Sequence, residues 1–166
     1  MILTWIMGFF VFVFLLIIMP NDLAYFKSLT EMGILDTKLF YHPDQVRIIG
    51  VAYGSEGRET YILSKLTLDL IFPIIYSLFF TLSFMFFSHG KPRRYEIACV
   101  LAAFMADMVE NASLALYFWQ FDRDITIICW IASASTLVKW IMIFTVLLLL
   151  ARVVSRYFLG IGKSIS

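Results

Sequence analysis

Three carboxylates and one ammonium, Asp69, Asp107, Glu110 and Lys139, lie inside stretches that are otherwise apolar enough for lipid. Asp107, Glu110 and Asn111 stand at i, i+3 and i+4, on one face of a helix. Asp69 and Tyr76 are seven residues apart, two helical turns, and also share a face. Ala132, Ser135, Thr136 and Lys139 form a polar, small-residue face in a third stretch. An ionisable side chain near the centre of a membrane helix costs roughly 2.5–3.5 kcal/mol on insertion scales, so it turns toward the bundle or toward water. Packing the three polar stripes together is the cheapest arrangement. Three carboxylates against one ammonium leave an imbalance, and in a low dielectric one carboxyl is expected to keep its proton. Such a group serves as an acid, a base or a proton relay. The set therefore reads as Asp107 and Glu110 for acid/base work, with Asp69, Tyr76, Asn111 and Lys139 as ligand-binding groups. The competing reading is structural: a buried Asp107–Lys139 salt bridge whose remaining valences Glu110 and Asn111 satisfy.

Pro73 adds a detail. It has no N–H, so the carbonyl four residues back, that of Asp69, loses its helical donor. A carboxylate and a freed carbonyl at one level suit a cation, a proton or a hydroxyl. Alternatively the kink is relieved by water and Asp69 pairs with Lys65 one turn above. Arg58, just before the second apolar run, is placed to bind a lipid phosphate or to act as a solvated interfacial anchor. His42 and His89 fall on opposite sides of the membrane, so no metal site is expected. No Ser-His-Asp set, phosphate loop or dinucleotide fingerprint occurs, and no cofactor is expected. Cys99 and Cys129 belong near opposite faces, too far apart for a disulfide.

The elements that must hold these groups follow from composition. Of 166 residues, 61% are hydrophobic and 15% charged, more apolar side chain than a soluble domain of this length can hide. The net charge of +1, without a basic block, argues against a nucleic-acid partner. Four apolar runs, about 2–19, 62–87, 95–119 and 125–150, are each long enough to cross a bilayer. The fold class is therefore an all-α, four-transmembrane-helix bundle, one membrane domain over 1–166. The first run lacks the basic flank and cleavage site of a signal peptide and reads as a retained helix. Lys91, Arg93 and Arg94 in the 88–94 loop, with Arg152, Arg156 and Lys163 in the tail, put that loop and both termini in the cytoplasm. Trp5, Tyr95, Tyr117, Trp119 and Tyr157 fit an interfacial belt. Loop one, about 20–61, then faces out and is partly helical. Asp22 is placed to cap a helix bearing Leu23, Phe26 and Leu29. Pro43-Asp44 opens a second helix, with Val46, Ile49 and Tyr53 on one face, Gly54 as its stop and Ser55 capping the next. These pieces are expected to lie across the outer end of the bundle, above a polar cleft that opens outward with Lys139 at its floor.

Gly57-Arg58 with Tyr61, then Asp69, Phe72-Pro73 and Tyr76, then Asp107 with Glu110-Asn111 resemble a pattern in small four-span bacterial membrane proteins of uncharacterised function. The likeness covers about residues 42–118 and joins three separated groups; Lys139 lies outside it. It implies a multi-pass protein of the bacterial inner membrane and carries over no activity. The residues themselves suggest a cleft that binds a lipid or small molecule, with acid/base turnover as its extension. The alternatives are a proton- or cation-conducting homo-oligomer and a scaffold subunit of a membrane complex.

Overall fold

The structure, a computed structural model, describes residues 2–30, 34–35, 38–123 and 125–163. Every regular element among them is helical: α1 (Ile2–Val13), a π turn (Phe14–Ile18), α2 (Met19–Leu29), α3 (Pro43–Leu66), α4 (Leu68–Phe87), α5 (Arg94–Trp119) and α6 (Thr126–Lys163). Four of the resulting helical stretches are long and apolar enough to span a membrane. Large apolar side chains such as Phe9, Met105, Phe144 and Leu148 stand more than half exposed around the bundle. A soluble monomer does not carry so much open apolar surface.

The first span does not stop at residue 19. The helix runs on to Leu29, so Asp22 lies inside α2 and not at its cap; its side chain is outside the described residues. A π turn makes the continuation feasible. The Met19 N–H reaches back to the Phe14 carbonyl, one residue further than in an α-helix. It stands directly before Pro20, whose missing N–H leaves the Leu16 carbonyl without its usual donor.

The helix expected from Pro43-Asp44 begins there and runs on, through Gly54, toward the second apolar run. His42 caps α3: its Nδ1 accepts from the Asp44 N–H at 3.3 Å, while Gln45 Oε1 accepts from the His42 N–H at 3.1 Å. Pro43 occupies the first turn, where no N–H is needed. Val46, Ile49 and Tyr53 are buried, as their spacing requires. Gly54 then breaks the helix with φ 64 and ψ −172, a conformation only glycine adopts cheaply. Arg58 Nη1 donates to the Gly50 carbonyl at 3.0 Å across this break, and its guanidinium lies 4.3 Å from the Phe121 ring centre. A second interruption, at Thr67 (φ −120, ψ −85), separates α3 from α4 within the expected 62–87 span. The expected 20–61 loop is thus helical over 20–29 and 43–61, in keeping with a partly helical segment.

The C-terminal tail is likewise helical. α6 has 38 residues and is about 57 Å long, well beyond a hydrocarbon core of about 30 Å. One belt assignment fails: Tyr117 is buried, packed with Phe118 and Phe121, whereas Trp5 and Trp119 are exposed.

Two apolar clusters hold the bundle. One joins Phe26, Val46, Ile49, Tyr53 and Tyr61 to Leu114 and Phe118 of α5 and to Cys129 and Ala132 of α6. The other joins Tyr76, Phe80 and Phe84 of α4 to Val100, Ala103 and Val146. The buried stripe of α5 passes from Val100 and Ala103, through Asp107, Glu110 and Asn111, to Leu114 and Phe118. The ionisable residues therefore form a layer between two apolar ones.

Candidate functional site

The polar layer is built from residues on five segments. At its centre, Lys139 Nζ lies 2.5 Å from Glu110 Oε2 and 3.6 Å from Asp107 Oδ1. Glu110 is 0% exposed, Lys139 5% and Asp107 7%. The expected Lys139–Asp107 pair exists, but Glu110 is the nearer partner. The reason is helical register: α5 and α6 form the most extensive helix contact among the described residues, and Glu110 is buried in it against Thr136 and Lys139. The other Glu110 oxygen, Oε1, is 2.6 Å from Thr136 Oγ1, which is also 2.9 Å from the Ala132 carbonyl and 3.1 Å from Tyr41 Oη. The single hydroxyl proton of Thr136 serves one acceptor at a time.

Asp107 is held from two other sides. Tyr76 Oη donates to its Oδ2 at 3.1 Å, and Asn111 Nδ2 lies 3.3 Å from its Oδ1. The Asn111 amide also donates to the Asp69 carbonyl at 2.7 Å. This is the carbonyl that Pro73 deprives of a helical donor, so an amide from α5 takes the place of the missing N–H. The Asp69 carboxylate pairs with Lys65, Nζ to Oδ2, at 2.7 Å. Lys65 is 1% exposed, so its ammonium belongs to the same buried layer. The charge count is then three carboxylates against two ammonium groups, a smaller imbalance than Lys139 alone implies.

The layer borders a cavity of about 120 Å³. Asp69, Tyr76, Asp107 and Lys139 supply its polar wall. Phe14, Phe72 and Pro73 supply much of the apolar one, with Phe14 and Phe72 stacked at 3.9 Å and 11°. At the end nearest the 30–42 segment the wall is Phe26, Ile34 and Tyr61, all buried. Its exposed or half-exposed lining includes Leu15 and Met19 on one side and Trp140 and Ile143 on the other. At the end nearest the 30–42 segment the cavity is closed by the buried Phe26, Ile34 and Tyr61 side chains among the described residues. The more exposed part of its lining is thus on the π turn and the start of α2 and on α6.

Sequence-expected site residues separate into three groups. Asp69, Tyr76, Asp107 and Lys139 line the cavity; Glu110 and Asn111 stand behind that wall and hold it in place. Arg58 lies apart, on the Gly50 carbonyl and Phe121. Tyr41 was not expected, whereas Lys65 is the alternative partner of Asp69 that its position one turn above suggested. Tyr41 comes from an irregular segment, and its backbone N–H also donates to Ser133 Oγ at 3.0 Å, tying that segment to α6. No sequence period could have flagged it. Lys65 had a signal, since Tyr61, Lys65 and Asp69 recur every four residues on one face. The two cysteines are free, and no group of three metal-ligating side chains occurs among the described residues. Comparison with protein-family models, with curated proteins and with solved structures finds no significant match to this chain.

Proposed function

We propose that this chain is a multi-pass membrane protein whose intramembrane cavity binds the polar end of a lipid or a small amphiphile entering from the side. The observation that carries the reading is one cavity wall combining Asp69, Tyr76, Asp107 and Lys139 inside an otherwise apolar bundle. A buried polar surface of that kind offers hydrogen bonds to a hydroxyl, an amide or an amine that lipid chains cannot. The volume of about 120 Å³ is near that of interior cavities that take up a benzene-sized group. The apolar lip of Leu15, Met19, Trp140 and Ile143 suits a ligand already dissolved in the bilayer. Asp107 and Lys139 are the groups within reach of such a ligand; Glu110 positions Lys139. The bacterial inner membrane is the setting the resemblance implies, and the basic 88–94 loop supports cytoplasmic termini.

A thermal-shift screen of lipids and small apolar metabolites on the purified protein tests the reading. A true ligand stabilises the wild type more than the Asp107→Asn variant. If no compound discriminates between them, the cavity is not a binding site.

A second reading rests on continuity. Polar contacts run from Tyr41 through Thr136, Glu110, Lys139 and Asp107 to Tyr76, and through Asn111 to Asp69 and Lys65. Such a chain suits proton or cation conduction by an oligomer. Proteoliposome flux that depends on Glu110 or Asp69 favours it; silent vesicles count against it.

A further inference from the structure

The end of the molecule where α4 meets α5 carries a concentration of positive charge that the polar layer does not use. Lys91, Arg93, Arg94, Arg152 and Arg156 gather there, and Glu96 is the sole acidic residue in 88–100 or 150–160. A pocket of about 600 Å³ lies between the 88–93 turn and the last turns of α6. Lys91, Arg93, His89 and Arg156, with Ser88 and the carboxylate of Glu96, supply its polar wall, and Phe87, Val153 and Tyr157 stand beside them.

The turn is built to hold that shape. The Gly90 N–H closes α4 by bonding to the Met85 carbonyl at 2.7 Å. His89 and Gly90 are both left-handed, at φ 50 and φ 79. His is among the non-glycine residues that reach this region most readily. Its ring lies 5.3 Å from that of Tyr157, which also meets Phe86 and Phe87. Arg93 Nη1 donates to Tyr95 Oη at 2.8 Å, which orients its guanidinium. Glu96 is buried and turned to the helix start, where its Oε2 accepts the Arg93 backbone N–H at 2.7 Å. Lys91 and Arg156 have no ion pair among the described residues. Two cations without an ion pair among the described residues thus line a concave space, where Glu96 is the one carboxylate in the described wall.

We infer that this pocket binds the phosphate of an anionic phospholipid headgroup. Phosphate ester is the chemistry that Lys and Arg converging from two elements recognise. A lipid is favoured over a soluble phosphate by position and by the rest of the wall. The pocket lies where α4 ends, α5 begins and the apolar run of α6 gives way to Arg152, the level of headgroups. Phe87 and Val153 offer apolar surface that glycerol and the first acyl carbons cover and a free phosphate does not. Phe158 and Leu159, exposed at 62% and 72%, continue that surface along α6.

The test uses the full-length protein in neutral detergent, with short-chain phosphatidylglycerol, short-chain phosphatidylcholine and glycerol phosphate as probes. Binding is read by thermal shift against probe concentration. Phosphatidylglycerol is expected to bind, and the Lys91→Ala/Arg156→Ala double variant to lose roughly fivefold per cation, about 25-fold in all. The Arg94→Ala/Arg152→Ala variant removes the same charge outside the pocket and is expected to lose much less. These residues are all exposed, and far-UV circular dichroism with size-exclusion elution checks that each variant folds. Equal losses in the two variants would overturn the pocket, leaving only diffuse attraction. Equal binding of phosphatidylcholine would overturn phosphate-charge recognition, and equal binding of glycerol phosphate would overturn the lipid assignment.

Discussion

Lys139→Met removes the ammonium at the centre of the polar layer. In the native protein its Nζ is 2.5 Å from Glu110 Oε2 and 3.6 Å from Asp107 Oδ1. Without it, two buried carboxyls face each other across a gap. Breaking a buried pair from one side typically costs about 3–5 kcal/mol. For a chain of this length about 2–4 °C of melting temperature accompanies each kcal/mol, so a drop of about 6–20 °C is expected. Glu110→Gln is milder, about 1–3 kcal/mol, because the amide still accepts from Thr136 and Lys139 keeps Asp107. Combining Lys139→Met with Glu110→Leu removes the closer ion pair as a unit and leaves Asp107 bonded to Tyr76 and Asn111, so much of the stability returns. The coupling energy of that pair is expected at about 1–3 kcal/mol, larger than the coupling of Lys139 with Asp107. Thermal unfolding in detergent, followed by circular dichroism on the full double-mutant cycles, measures both. If losses at Lys139 and Glu110 add to within about 0.5 kcal/mol, the two side chains do not touch. If Asp107 couples more strongly than Glu110, the register of α5 against α6 described above is wrong.

Four further outcomes follow from individual contacts. Asn111→Leu removes the donor to the Asp69 carbonyl and is expected to cost about 1–3 kcal/mol; in a Pro73→Ala background the restored helical N–H reduces that loss, which a second melting cycle reads. Gly50→Ala places a Cβ within 2.3 Å of Phe121 Cε2 and 2.8 Å of Phe118 Cε1; the overpacking is expected to cost about 1–3 kcal/mol, seen as a lower melting temperature. Gly54→Ala forces a side chain into φ 64 and ψ −172 and is expected to cost about 1–3 kcal/mol by the same assay, although no neighbour lies within 4 Å of the new carbon. Cysteine labelling of whole cells is expected to reach Ser55→Cys, which is exposed, and not Ser88→Cys; labelling of position 88 from outside reverses the orientation.

The four helices long and apolar enough to cross a membrane were legible because a bilayer demands a length and a composition that apolar runs display directly. The facing of the polar stripes was legible for the same kind of reason. A charge in lipid is costly, and helical period assigns each residue to a face, so Asp107, Glu110, Asn111 and Lys139 had to meet. Pro73 marked the Asp69 carbonyl as the group needing a new donor, since the missing N–H is a property of the residue itself.

Other features depend on contacts between segments distant in the chain, which no local period encodes. Asn111 was identified as facing inward, but its bond to the Asp69 carbonyl spans 42 residues. Lys139 has two carboxylates one turn apart on α5; only the packing of α5 on α6 makes Glu110 the closer. The joins at residues 14–18, Gly54 and Thr67 show the same division. Gly54 announced its break because glycine favours positive φ, and the π turn stands next to Pro20, whereas the Thr67 interruption occurs at a residue with no intrinsic need to leave the α-helix. Tyr41 enters the layer from an irregular segment whose course is set by where α6 offers Ser133 and Thr136. The chain alone determined which residues had to be hidden from lipid. Tertiary packing decided which of them touch, because a buried charge accepts any geometrically suitable partner and helix register selects among those available.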